Sequence, residues 1–163
     1  MATPTALPAS FTAGDVLTAA NMNLLRGAFR VLQVVNGTTT TEVSTTSTSY
    51  VTTNITATIT PSSTSSKVLA IWSTTAAKDT TVFSHARYAL FRGTVAGTEL
   101  GEASWYDVDS GNRGGVGFAY LDSPATTSAQ AYTVGIKTNS ASTTVYANYG
   151  NILGSITLME ISA

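Results

Sequence analysis

Residues 50–60 read YVTTNITATIT and are followed directly by Pro61-Ser62-Ser63. Within this stretch the apolar residues Ile55, Ala57 and Ile59 alternate with threonines. That period of two is typical of a strand with one face buried and the other in water. Proline ends such a strand because it has no N–H to donate to a neighbouring strand. The stretch therefore predicts a half-buried β-strand that is closed by a turn.

Similar short segments recur along the rest of the chain and are separated mostly by Gly, Asn, Ser and Pro. The predicted strands are residues 31–35, 38–46, 50–60, 67–75, 82–92, 99–108, 114–122, 131–138, 143–149 and 155–162. Asn36-Gly37 predicts a two-residue hairpin turn because both residues tolerate positive φ. About nine or ten short strands with no helical crossover between them predict an all-β fold, an antiparallel β-sandwich or jelly-roll-like domain. The order of the strands is left open.

The amino-acid composition favours a β-rich protein and excludes several kinds of function. The chain has 163 residues, of which 43% are hydrophobic and 10% are charged, against about 25% charged in an ordinary domain. Its polarity comes from 30 Thr and 18 Ser, and the β-branched Thr favours strands. A net charge of -1 gives no electrostatic footprint for nucleic acid or for an anionic membrane. There is no cysteine, which excludes disulfides and thiolate chemistry.

The first 30 residues differ from the rest. Residues 1–13 lack periodicity and predict an extended arm. A helix of about 13 residues is predicted to follow Thr18, with Met22, Leu25 and Phe29 on one face. A helix this short is marginal alone in water, so its apolar face needs a partner. We therefore predict an anchoring arm with a short helix at 1–30 and a β-sandwich at 31–163. The predicted particle-anchoring residues are Phe11, Val16, Leu17, Met22, Leu25 and Phe29.

Two predicted strands are apolar on both faces. In residues 114–122 the side chains of Phe118 and Tyr120 point one way and that of Leu121 points the other. A lone antiparallel domain usually keeps one face of a sheet polar, so a second copy of the chain is expected to cover the extra apolar face. The alternative is that central strands of a two-layer core carry a few outward apolar residues. The predicted oligomer interface comprises Phe118, Tyr120, Leu121, Met159 and Ile161.

Candidate catalytic and metal-binding residues are few. His85 is the one histidine, and Ser84 beside it points to the opposite face of a strand, so the two cannot form a nucleophile–base pair. A triad assembled in space through Asp79 or Asp107 is left open. A chain with one histidine and no cysteine has too few nitrogen and sulfur ligands for a zinc or copper site, so no such site is predicted. The sequence thus predicts a protein that is not an enzyme, with no catalytic site and no cofactor.

Residues 107–112 begin like a calcium loop, with Asp107 and Asp109 spaced two apart. The twelfth position, where the bidentate glutamate belongs, is Phe118. We therefore predict a polar hairpin tip and no metal site. The glycines at 114, 115 and 117 lead into a strand rather than a helix, which argues against a phosphate loop.

Two stretches carry a resemblance to a known family. Residues 11–23, FTAGDVLTAANMN, resemble the opening of many small structural proteins of tailed bacteriophages, in which such an arm precedes a β-rich domain. Residues 45–69 look like a β segment that recurs in phage tail-fibre-like and head-decoration-like proteins, and residues 132–162 fit the same family loosely. The family has no catalytic motif to carry over.

The resemblance implies a homo-oligomer, most often a trimer, made in the host cytoplasm and assembled onto the virion. Residues 1–30 would bind other virion proteins of the capsid or tail. Capsid decoration is the leading function, because the chain has neither heptads nor a Gly-X-Y repeat from which to build a shaft. The alternatives are a tail fibre or receptor-binding tip whose aromatic residues contact a host-surface glycan, a tail or baseplate fitting, and a cellular carbohydrate-binding module. No nucleic-acid or membrane partner is expected.

Overall fold

The computed structural model describes residues 31–79, 84–106 and 112–162, and these form an antiparallel β-sandwich. The predicted arm and helix at 1–30 lie outside the described residues. The described strands are β1 (Val31–Thr39), β2 (Val43–Thr45), β3 (Val51–Ile59), β4 (Lys67–Lys78), β5 (His85–Arg92), β6 (Thr98–Tyr106), β7 (Arg113–Asp122), β8 (Gln130–Thr138), β9 (Val145–Ala147) and β10 (Gly154–Ile161). One turn of 3-10 helix, Tyr149–Asn151, separates β9 from β10. The all-β prediction is confirmed.

The strand order is that of a jelly roll. In sheet A, β1, β10, β4 and β7 lie side by side, and the short strands β9 and β2 extend the sheet beyond the end of β10. In sheet B the order is β3-β8-β5-β6. Along the chain the eight long strands alternate between the sheets except for the hairpin β5–β6, which stays within sheet B. This connectivity corresponds to the two Greek keys of a jelly roll.

The core lies between the sheets and follows from the period-two pattern. In β3 and β10 every second residue is buried, as the sequence predicts. Trp72 is the largest of the core residues, and its ring meets those of Tyr88 and Phe118 at 6.3 and 5.3 Å between centroids. Aromatic side chains bury a large area each, so this trio fills much of the space between β4, β5 and β7.

The hairpin predicted at Asn36-Gly37 is wrong, because β1 runs straight through both residues. The Asn36 side chain instead donates hydrogen bonds to the neighbouring strand, to the Ile156 carbonyl at 3.2 Å and to Thr157 Oγ1 at 2.9 Å. Gly37 lies against sheet B, where an added Cβ would come within 2.0 Å of the Thr56 carbonyl oxygen. Close approach of two backbones, and not a turn, requires glycine here.

The end of the sandwich at which β1 begins is closed by a buried carboxylate. Glu160 on β10 accepts hydrogen bonds from Gln33 Nε2 at 2.6 Å and from the backbone N–H and hydroxyl of Ser62, both at 2.7 Å. Burial opposes ionisation of Glu160, but the hydrogen bonds from Gln33, Ser62 and Ser66 outweigh it and lower its pKa to about 2. The carboxylate thus ties the turn between β3 and β4 to β1 and β10.

Candidate functional site: the outer faces of the two sheets

The outer face of sheet A carries an apolar row that crosses all four long strands. Strand register places Val34 opposite Met159, Met159 opposite Leu69, and Leu69 opposite Leu121. Val34 and Leu121, at the two edges of the sheet, are each 56% exposed, while Met159 and Leu69 are partly buried. We call these four residues the apolar row.

The face becomes polar on one side of the apolar row, in the direction in which β1 runs. The next row contains Ile71, which is exposed, together with Asn36, Thr157 and Ala119. The row after that contains small and hydroxyl residues, and Ser73 lies 3.3 Å from Ser155 between hydroxyl oxygens. On the other side of the apolar row, Val31 pairs with Ile161. The apolar end of the face is therefore the end at which residues 1–30 join the sandwich.

The outer face of sheet B has a different character, because four polar and charged side chains meet on it. Glu102 on β6 accepts a hydrogen bond from Arg87 Nε at 2.7 Å, and Lys137 Nζ lies 3.6 Å from its other oxygen. The Tyr50 hydroxyl also donates to Glu102. Lys137 Nζ stands over the Tyr50 ring, 4.1 Å from the centroid. We call Tyr50, Arg87, Glu102 and Lys137 the ionic cluster.

The ionic cluster shifts the pKa values of Glu102 and Tyr50. Burial opposes ionisation of Glu102, but hydrogen bonds from Tyr50 and Arg87 and the charges of Arg87 and Lys137 keep its pKa below the ordinary value. Burial and the hydrogen bond to Glu102 raise the pKa of Tyr50 well above the ordinary value. Two cations, one carboxylate and one neutral phenol thus form a partly exposed polar face. Sequence patterns could not have predicted this cluster, since its members come from four separate segments of the chain.

Two shallow depressions flank the ionic cluster. One, of about 280 Å³, is lined by His85, Arg87, Ser104 and Asn139, and the other, of about 320 Å³, is lined mainly by threonines with Asn54 and Val95. Neither contains tryptophan. Trp72 is buried in the core, and Trp105 packs over Gly114, where an added Cβ would lie 2.3 Å from its Nε1. Both tryptophans thus pack within the sandwich.

The predicted interface residues separate into two groups. Leu121, Met159 and Ile161 lie on the outer face of sheet A, where Leu121 and Met159 belong to the apolar row. Phe118 points toward the interior and packs edge-on against Trp72, while Tyr120 on the same side of β7 is 36% exposed. The side chains of β7 alternate between the two sides of the strand as predicted. Phe118 on one side packs against the core, while Leu121 on the other side is exposed.

Among the described residues that were considered for chemistry, Ser84 and His85 point in different directions. Ser84 is buried and His85 is partly exposed, in keeping with opposite directions along a strand, and the His85 backbone N–H donates to Asn139 Oδ1 at 2.7 Å. Asp107 and Asp109 lie outside the described residues, as do the predicted anchoring residues. Across residues 31–79, 84–106 and 112–162, no three His, Asp or Glu side chains form a group that could hold a metal ion. In those same ranges no helix is long and apolar enough to span a bilayer.

Comparison with known proteins gives a weak structural likeness. No protein-family model and no curated protein matches the chain. Among solved structures, the chain is similar to that of the infectious bursal disease virus Gt strain, with 11% identity and a TM-score of 0.45 over 80% of this chain and 37% of that chain. It is also similar to the VP2 subviral particle of infectious bursal disease virus, with 10% identity and a TM-score of 0.40 over 80% of this chain and 40% of that chain. The chain thus spans well under half the length of these solved chains.

Proposed function

We propose that this chain is a non-enzymatic structural protein of a tailed-phage virion, displayed on the particle as an oligomer. The observation that carries the proposal is the resemblance of residues 11–23 to the arm that opens many small phage structural proteins. The jelly-roll fold is compatible with this role but does not by itself indicate it, because one fold serves many functions. Capsid decoration fits a compact body without a shaft.

In this proposal the arm and the β-sandwich have separate tasks. The arm, through Phe11, Val16, Leu17, Met22, Leu25 and Phe29, binds a capsid or tail protein. Oligomerisation, most simply as a trimer, uses Leu121, Met159 and Ile161, with the partly exposed Tyr120 at the margin, while Phe118 supports β7 from the core. Because each arm contributes little affinity alone, joining several arms in one oligomer strengthens attachment by raising their effective concentration.

A receptor-binding role at the tail is the second candidate. The observation in its favour is the outer face of sheet B, where hydroxyl, amide and charged side chains line two depressions. Such groups hydrogen-bond sugar hydroxyls, so a host-surface glycan is the ligand that this role would require. The position of the protein on the particle separates the two candidates.

Attachment is tested with particles that lack the protein. Full-length protein is added back, and co-sedimentation measures occupancy for the wild type and for Met22→Asp/Leu25→Asp. The matched control is Ala20→Asp/Asn23→Asp, which adds the same charge on the side of the predicted helix opposite its apolar stripe. We expect occupancy to fall at least tenfold for the first variant only. Equal occupancy for all three proteins would show that the arm is not the anchor.

Electron microscopy of the restored particles then distinguishes the functions. Density on the head supports decoration, and density confined to the tail tip supports receptor binding. A wild-type protein that binds neither heads nor tails would refute the virion proposal.

A further inference from the structure

We propose that the larger depression on the outer face of sheet B binds a neutral sugar unit, and that Asn54 is the residue that recognises its hydroxyl groups. We call this site the Asn54 depression. It has a volume of about 320 Å³ and is lined by Thr52, Asn54, Thr56, Thr94, Val95 and Thr133. The inference deepens the receptor-binding candidate and rests on it for the source of the sugar, a glycan of the host surface. The class of ligand is argued from the depression itself.

The backbone at Asn54 is the first argument. The regular pairing of β3 with β8 is interrupted between Thr52 and Thr56, where three residues of β3 stand opposite one residue of β8. At the centre of this bulge Asn54 has a φ of 62°, a left-handed conformation that glycine adopts most easily. Such strain is typically kept where a side chain has a task, and a bulge re-aims the side chain that it carries. The bulge leaves Asn54 exposed at the depression.

The hydrogen bonds of the bulge are the second argument, because they are made without the amide of Asn54. Thr53 Oγ1 donates to the Val134 carbonyl at 2.8 Å, and Thr56 Oγ1 donates to the Tyr132 carbonyl at 2.9 Å. These hydroxyl groups replace part of the interrupted ladder between the two strands. Within the described part of the chain the side-chain amide of Asn54 makes no hydrogen bond. Its carbonyl oxygen and its NH₂ group are therefore available to accept from and donate to a ligand.

The turn between β5 and β6 supplies an apolar wall opposite Asn54. The Gly97 N–H donates to the Thr94 carbonyl at 2.8 Å and closes the turn. Val95 lies over β8, where a Cβ added to Gly135 would come within 2.9 Å of Val95 Cγ1. Small-molecule sites usually combine an apolar wall with a few polar groups that fix orientation. A pyranose ring suits this arrangement because it presents a face of C–H groups as well as hydroxyls.

The lining of the Asn54 depression also limits the class of ligand. None of its six lining residues carries a charge, so it offers no charged partner to an ionic ligand. The bulge breaks the regular backbone edge of β3, which disfavours pairing with an extended peptide. The volume lies at the lower end of the range of small-molecule sites, ~300–1,000 Å³. A small neutral ligand rich in hydroxyl groups fits these limits, and a sugar unit is such a ligand.

The first test measures the binding of sugars to the full-length protein by saturation-transfer NMR. The neutral probes are glucose, galactose, mannose and N-acetylglucosamine, and the charged probe is glucuronic acid, all at millimolar concentration. We expect at least one neutral probe to bind, and that probe is then titrated against the variants. Binding of no neutral probe, or of glucuronic acid alone, would overturn the proposal.

The second test, Asn54→Gly, separates recognition from folding. Glycine accepts the left-handed backbone of the bulge but removes the amide, so circular dichroism should show a folded protein. We expect the dissociation constant to rise about tenfold, as for the loss of one or two hydrogen bonds. The control is Asn151→Gly, the same substitution at another exposed asparagine, which has a φ of 59° and lies outside the depression. A purely structural role of Asn54 predicts unchanged affinity for both variants, and that result would refute the proposal.

The third test blocks the depression and leaves Asn54 in place. Thr52 and Thr58 are both exposed on the outer side of β3, but Thr58 does not line the depression. A phenyl ring at position 52 would occupy the space of the sugar, so we expect Thr52→Phe to abolish binding and Thr58→Phe to retain it. Equal binding by the two variants would place the sugar elsewhere on the protein and contradict the assignment.

These outcomes are independent of attachment to a particle. A protein that binds a neutral sugar through Asn54 but never co-sediments with particles retains the inference and loses the proposed function. A protein that restores occupancy on particles but binds none of the neutral probes does the reverse.

Discussion

Gly117 lies so close to Trp72 that a Cβ atom added to it would fall 2.1 Å from the Trp72 carbonyl oxygen. The two residues are on the neighbouring strands β7 and β4, where Gly117 pairs with Ser73. Two positions earlier in β7, Gly115 has nothing within 4 Å of the same added atom. One strand therefore holds a glycine that packing requires and one that it does not.

We expect Gly117→Ala to destabilise the protein by about 1–3 kcal/mol, because the methyl group forces β7 away from β4. Gly115→Ala should be neutral or slightly stabilising, since it reduces the freedom of the unfolded chain without a clash. Thermal unfolding of both variants measures the contrast. Equal melting temperatures for the two would contradict the close approach of Gly117 to Trp72.

The sequence predicted β3 and β10 well because alternation survives in these two strands almost residue for residue. Ile55, Ala57 and Ile59 all lie in the core, and the predicted segment at 155–162 coincides with β10 within a residue at each end. Strand order could not be obtained in this way, since the pairing of β4 with both β10 and β7 joins segments far apart in the chain. Periodicity reports the face of a residue but not its neighbour.

The candidate site was predictable in part for the same reason. The outward positions of Leu121, Met159 and Ile161 follow from alternation, but their alignment with Val34 needs the register of three strand pairs. Asn36-Gly37 misled the prediction because glycine serves close backbone approach as readily as it serves turns. The charged residues of sheet B could not be grouped, because each one alone looks like an ordinary surface residue.

The ionic cluster makes a second prediction possible. Glu102→Gln leaves Arg87 and Lys137 on one face without their shared carboxylate, and we expect a loss of roughly 1 kcal/mol, since the pairs are partly exposed. The loss should shrink in high salt, which screens charges near the surface. Tyr50→Phe removes only the hydroxyl and should show little salt dependence. Urea denaturation at low and high salt measures both variants, and a salt-independent loss for Glu102→Gln would argue against an electrostatic role.

Glu160 gives the last prediction, which concerns acid. Its carboxyl has a pKa of about 2 in the folded chain against an ordinary value of 4.5, so the unfolded chain binds the proton more readily. The stabilisation is therefore complete above pH 4.5 and is lost as the pH falls toward 2. We expect Glu160→Gln to be less stable than the wild type at pH 7, with a difference that narrows steadily below pH 4.5. Glu99→Gln, an exposed position on β6, makes the same change in charge and should keep the wild-type acid dependence. Urea denaturation between pH 7 and pH 2.5 measures all three proteins, and parallel curves for Glu160→Gln and the wild type would refute the role of this carboxylate.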